Sequence, residues 1–260
     1  MQTAAAVKQK KLKRNVSYAL FAAAVVFSLW YIQFSFSEFI SGIPIFLHFL
    51  FTDFLPPKAS DLPSYLQPVL DTLAYGVVAT VLASIIGLLF GFLMARQTTP
   101  HPAIRTVLRG FISLLRNIPF LVWASILVVI FGVGSMPGIF SLILFGSGFL
   151  ARVYAEAIEE IDSHATEALD AMGAGYLQKI KHAVIPAFIP GFISWTLFMF
   201  ELSIRASSIL GLVGAGGIGS QIKLTMDLFQ YNRTSTVICI LIVMILVIEF
   251  MTKRIRERLI

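Results

Sequence analysis

The strongest constraint on what this chain can fold into is the length of its apolar runs. They fall at about 16–36, 70–95, 110–130, 139–153, 188–212 and 234–251, most of them near the twenty residues a helix needs to cross a bilayer. Over 260 residues the chain is 57% hydrophobic and only 13% charged, with a mean hydropathy of +0.85. That is too apolar for a soluble domain of this size. Six runs predict an all-α integral membrane protein with six transmembrane helices and both termini inside. All of the twenty Lys and Arg residues except Lys58, Arg205, Lys223 and Arg233 then fall on the inner side, as the positive-inside rule requires. The net charge of +6 is thereby explained by topology. The basic residues form no single patch, so nucleic acid is not expected as a partner.

Several chemistries are excluded early. The one cysteine, Cys239, lies inside an apolar run, so no disulfide framework exists. The four histidines, His48, His101, His164 and His182, lack metal-ligand spacing. No G-x-x-x-x-G-K-[ST] pattern occurs, so the chain carries no phosphate-cradling loop for ATP. No paired carboxylates or serine triad stand where they would serve hydrolysis. An enzyme is not expected.

In chain order, residues 1–15 form a basic inner N-terminus with Lys8, Lys10, Lys11, Lys13 and Arg14. The 16–36 run is long and lacks a small-residue cleavage site, so it is expected to be a retained first span. Residues 37–67, with Pro44, Pro56, Pro57 and Pro63 among Phe46, Phe49, Phe51 and Phe54, are expected to lie at the outer interface. A core of five spans over 68–252 follows, then a basic inner tail at 253–260. Gly87 and Gly91 make a G-x-x-x-G that lets another helix approach closely. Arg96–Arg109 reads as an inner loop, Gly132–Gly138 as an outer turn, and about 156–186 as a long inner loop. Pro190-Gly191 is expected to interrupt the fifth span.

Within that inner loop lies EALDAMGAGYLQKIKHAVIP, Glu167–Pro186. Asp162 and Ser163 are candidate caps for a short helix to about Met172. Glu167 in an early turn suits the positive helix end, and Gly173 provides the left-handed residue that ends it. Ala168 and Ala171 leave one face nearly free of bulk, shaped to enter a groove on another subunit. Pro186 marks a restart into the next span. The stretch resembles the EAA loop of ABC importer permeases, with Leu169, Ala183 and Ile185 departing from the usual residues. Arg116-Asn117-Ile118-Pro119 is similar to an Arg-x-x-Pro of the same proteins. The resemblance implies that Glu167, Ala168, Asp170, Gly173 and Ala174 couple this chain to a separate ATPase.

The fifth run ends in FELSIRASSILGLVGAGGIG. Glu201 lies roughly 20 Å along a helix counted from Phe188, near the bilayer midplane, where a charge is costly. Arg205 follows four residues later, the favourable order for an intrahelical pair. Two readings stay open: mutual neutralisation that fixes packing, or an anion site in which Arg205, with Ser207 and Ser208, meets substrate while Glu201 holds it. Gly214, Ala215, Gly216, Gly217 and Gly219 follow. Broken backbone at membrane depth is tolerated where it is buried or lines a cavity, which makes this run a candidate outer gate or docking loop.

E-x-x-x-R followed by G-L-V-G-A-G-G-I-G, downstream of the EAA-like loop, resembles the permeases of phosphonate-type ABC importers, over most of the chain from about Leu70. The resemblance implies a type I ABC importer permease fold in the bacterial inner membrane. It implies a permease homodimer, two ATP-binding subunits inside that carry ATP and magnesium, and a periplasmic or lipid-anchored solute-binding protein delivering phosphonate, phosphite or phosphate. The chain itself is expected to bind no cofactor or metal. The G-A-G-G-I-G portion is shared with methionine-type permeases, leaving amino acid as alternative cargo. An ion-coupled secondary transporter using Glu201 is the alternative outside the class.

Overall fold

A computed structural model describes the backbone of residues 2–258. Met1 and residues 259–260 lie outside the described residues, as do the side chains of 2–9, 59–61, 163 and 166, among them Lys8 and the candidate cap Ser163. Among the described residues all regular structure is helical. The chain divides into two units, Met1–Asp53 and Phe54–Ile260.

The first unit holds α1 (Gln2–Tyr31) and α2 (Phe36–Phe49). Apolar surface on α1 is outward, with Phe21, Phe27 and Trp30 all exposed. Ser35 caps α2, its side chain accepting from Glu38 N–H. α2 has 14 residues and passes directly into a π-helical turn, Leu50–Phe54.

The second unit is a bundle around α3 (Leu66–Met94) and α6 (Ser135–Glu159). These two helices meet at the contact read from Gly87 and Gly91. A β-carbon on Gly87 would stand 2.7 Å from Leu150 Cβ, and one on Gly91 would stand 2.9 Å from Tyr154 Cβ. Two glycines one turn apart thus admit the α6 backbone, as small residues do between helices in lipid. Fully buried Tyr154 then bonds the Thr196 hydroxyl at 2.6 Å, joining α6 to α9 (Ile185–Leu212). Thr80 donates to Ser203 at 3.2 Å, joining α3 to α9. The interior therefore carries hydroxyls while Val129 and Ile130 face outward, the polarity expected of a chain solvated by lipid tails.

The third span differs from the continuous helix expected over 110–130. It is a pair, α4 (Pro102–Asn117) and α5 (Phe120–Phe131), bent by 85°. The helix starts earlier than expected because His101 Nδ1 accepts from Ala103 N–H and Pro102 occupies the first turn, where a missing N–H costs nothing. It breaks at Ile118, held extended at ψ 117° by the following Pro119. Among the described residues, five helical segments are long and apolar enough to cross a membrane, and six when this bent pair counts as one.

The fifth span also differs. Pro190 does not interrupt it, and α9 runs unbroken from Ile185 to Leu212. Nor is Pro186 a fresh start. α8 (Tyr176–Lys179) continues through a π-helical turn, Ile180–Val184, directly into α9. A proline inside a membrane helix is tolerated where local π adjustment and neighbouring hydroxyls satisfy the freed carbonyls. α10 (Gly217–Asp227) and α11 (Tyr231–Glu257) complete the bundle.

Candidate functional site

The EAA-like stretch forms the helix its residues dictate. α7 runs Ser163–Ala171, with the Asp162 side chain accepting from His164 N–H at 3.0 Å. Gly173, at φ 78°, ends it. Gly173 N–H bonds Asp170 C=O and Ala174 N–H bonds Leu169 C=O, each at 2.9 Å, the paired closure of a Schellman motif. Glu167 and Ala168 are exposed on this helix, Asp170 pairs with Lys179 at 2.7 Å, and Ala174 is half-buried. Leu169, the departure from the EAA pattern, turns partly inward, so the apolar substitution does not disturb the exposed face. Tyr176 donates to the Thr98 carbonyl, fastening α8 to the connection between α3 and α4. Met172 and Leu177, at 74% and 77% exposure, leave an apolar rim beside α7.

Just before α7 in the chain is a carboxylate hub that the sequence did not single out. Glu159 Oε1 accepts from Arg109 at 2.7 Å, from Arg105 at 3.1 Å and from Arg96 N–H at 2.8 Å. One oxygen thus gathers the end of α3, one face of α4 and the last residue of α6, immediately before α7. The i, i+4 spacing of Arg105 and Arg109 was the available signal.

The charges of α9 are placed differently from the intrahelical pair that their spacing favours. Glu201 and Arg205 each turn to α11 instead. Glu201 is 8% exposed; its Oε1 accepts from Thr252 and, at 2.5 Å, from Arg256. Arg205 donates to Glu249 at 3.0 Å. Antiparallel packing explains the choice, since moving one turn along α9 moves back along α11. Glu201 meets α11 in its last two turns, among Lys253, Arg254 and Arg256. Glu249 was legible as the one charge in the 234–251 run; Thr252, just past that run, and Arg256, in the basic tail, were inconspicuous.

Ser207 and Ser208 are buried, and Ser208 donates back to the Ile204 carbonyl at 3.1 Å. Of the four residues expected along a path, Arg205 alone has an exposed side chain.

The glycine run is a packed joint rather than a free loop. Gly214 and Gly216 take φ of 96° and 84°, values that exclude most side chains. Helix resumes at Gly217, earlier than glycine propensity alone suggests. A β-carbon on Gly219 would lie 1.8 Å from the Ser208 carbonyl oxygen, so α10 crosses α9 backbone to backbone. Ala215 is buried, and Ile218 N–H donates to Thr72 on α3 at 2.8 Å.

Comparison with known proteins agrees with this architecture. The chain is 32% identical over 232 residues to the phosphite transport system permease protein PtxC of Stutzerimonas stutzeri, covering 89% of this chain and 84% of that one. It is 34% identical over 234 residues to the phosphate-import permease protein PhnE of Mycolicibacterium smegmatis, covering 90% of this chain and 44% of that longer protein. Among solved structures, an inward-facing MetNI methionine ABC transporter chain superposes with a TM-score of 0.68 at 24% identity, covering 78% of this chain and 99% of that one; at that identity the likeness shows the type I importer fold. Residues 87–260 match the family model described as binding-protein-dependent transport system inner membrane component, and the chain belongs to that family as a multi-pass transport permease subunit.

Proposed function

We propose that this chain is the permease of an ATP-driven, binding-protein-dependent importer of a small phosphorus oxyanion: phosphonate, phosphite or phosphate. The similarity to phosphite and phosphate permeases over about nine-tenths of the chain carries the substrate class. Two copies form the pathway. Two ATP-binding subunits, which hold ATP and magnesium, meet the exposed face of α7 from the cytoplasm, through Glu167, Ala168, Asp170, Gly173 and Ala174. A periplasmic or lipid-anchored binding protein delivers the anion to the opposite face, where Gly214, Ala215, Gly216, Gly217 and Gly219 act as the gate joint.

Arg205 is the residue proposed to meet the anion. Along α9 its face continues through Phe198, Ile209 and Leu212, each 37–44% exposed. Charges in membrane spans face a bundle interior or a wet cavity, not lipid. A half-exposed guanidinium on this face therefore marks it as pathway. Glu201 holds α9 against α11, and Ser207 and Ser208 shape the buried side of the same turn. ATP-driven closure would push α7 and, through α8 and the π-helical turn, tilt α9.

The test is uptake of labelled phosphite, phosphate and methylphosphonate in cells deleted for this chain and complemented with it, together with purification of the tagged chain in mild detergent. Oxyanion uptake and a co-purifying Walker-A ATPase at one to one are expected. Uptake of methionine instead, or transport with no ATPase present, would overturn the reading. Arg205→Leu is expected to abolish oxyanion uptake with the ATPase still bound.

A further inference from the structure

The two ion pairs that α9 makes with α11 are built for different purposes. Glu201 is buried, and one of its oxygens takes two donors, Thr252 and Arg256. Arg205 and Glu249 share a single 3.0 Å hydrogen bond, Nη2 to Oε2, with side chains 47% and 52% exposed. Among the described residues the Arg205 guanidinium, which has five N–H donors in a planar fork, donates no other hydrogen bond. Glu249 lines one cavity with Glu201, Lys253, Arg256 and Glu257, and Ile242 and Leu246 stand at helical spacing before it, 51% and 58% exposed. An ion pair this open adds little stability.

We infer that Glu249 is a resident counter-anion for Arg205, displaced when the transported oxyanion arrives. This rests on the reading of Arg205 as the anion-binding residue. A bare guanidinium within a membrane span is costly, so an empty pathway needs an anion of its own. A carboxylate presents two oxygens to the fork much as a tetrahedral oxyanion does, and so competes for the same donors. Glu249 stands on a different helix from Arg205, so exchange of partners releases α11 from α9 at this level while Glu201–Arg256 keeps them joined one turn away. Binding the oxyanion then loosens one of two tethers, and discharging it re-forms the contact. Glu249 thereby lowers the affinity of the pathway for its cargo and favours release, which a transporter needs as much as capture.

Glu249→Gln is the test, made in the complete transporter purified in a maltoside detergent, which contains no phosphorus. Binding of phosphite, phosphate and methylphosphonate to the permease complex, freed of its binding protein, is followed by ³¹P NMR line broadening. Removing the competitor is expected to tighten binding roughly fivefold, the size of a half-exposed ion pair, and to slow saturated uptake. Glu249→Asp, which keeps the charge, is expected to bind close to wild type. Arg205→Leu is expected to bind no oxyanion, alone or combined with Glu249→Gln. Unchanged or weaker binding in a Glu249→Gln complex that still assembles would overturn the inference and leave the oxyanion reading standing, because wild-type uptake continues. A wild-type transporter that carries none of the three anions would overturn both.

Discussion

Glu201 and Arg205 stand one turn apart on the same helix, and their surroundings divide the α9–α11 seam in two. At Glu201 the seam is closed: the carboxylate is 8% exposed and takes donors from a hydroxyl and a guanidinium. At Arg205 it is open, with one hydrogen bond and both partners about half exposed. Identical charge chemistry therefore yields a fixed joint in one place and an exchangeable contact in the other. What separates them is desolvation. A buried charge that loses its partner has no water to turn to, whereas a half-exposed one does.

The comparison can be broken most directly at Arg256. Arg256→Leu strands the Glu201 carboxylate and is expected to cost about 3–5 kcal/mol, seen as a large drop in folded, monodisperse protein in detergent. Replacing both partners, Glu201→Leu with Arg256→Leu, is expected to recover most of that loss. If the single and double variants unfold alike, the pair is not the joint described. Thr252→Val sharpens the same point at smaller scale. It removes one hydrogen bond to a charged oxygen, with an expected loss of about 1.5–3 kcal/mol in thermal unfolding.

On the open side, Arg205→Leu is expected to change stability by no more than about 1 kcal/mol while uptake is lost. A destabilisation matching that of Arg256→Leu would erase the distinction between the two pairs. The smallest effect is expected at Lys179→Ala, which frees Asp170 on α7. The shift in thermal unfolding is expected to stay within about 1 kcal/mol, with ATPase-coupled uptake reduced rather than abolished. Unaltered coupling would show that α7 does not need this tie to α8.

Local signals carried much of the fold. The α7 helix, with its Asp162 cap and Gly173 terminus, was readable because capping is decided by a few consecutive residues. Gly87 and Gly91 were readable as a close helix contact for a similar reason, although the identity of the α6 partner residues was not. The bend at Ile118-Pro119 was present as a proline inside the 110–130 run, which was expected to be one span. A proline fixes that the helix must break, not by how much the two halves diverge.

The site was less legible. Glu201, Arg205 and the glycine run stood out because charges and broken backbone are rare at membrane depth. Their partners did not stand out, since Thr252 at the end of the last span and Arg256 in the basic tail are ordinary residues until α11 is laid against α9. Residue types and spacing determined the class of this protein: apolar length sets the number of helices, basic residues set their orientation, and glycine sets where helices end or touch. Only the tertiary structure decided who pairs with whom. The intrahelical Glu201–Arg205 pair was available at correct spacing, and antiparallel packing with α11 offered each residue a better partner. Contact between segments fifty residues apart follows from how helices pack, which no local pattern contains.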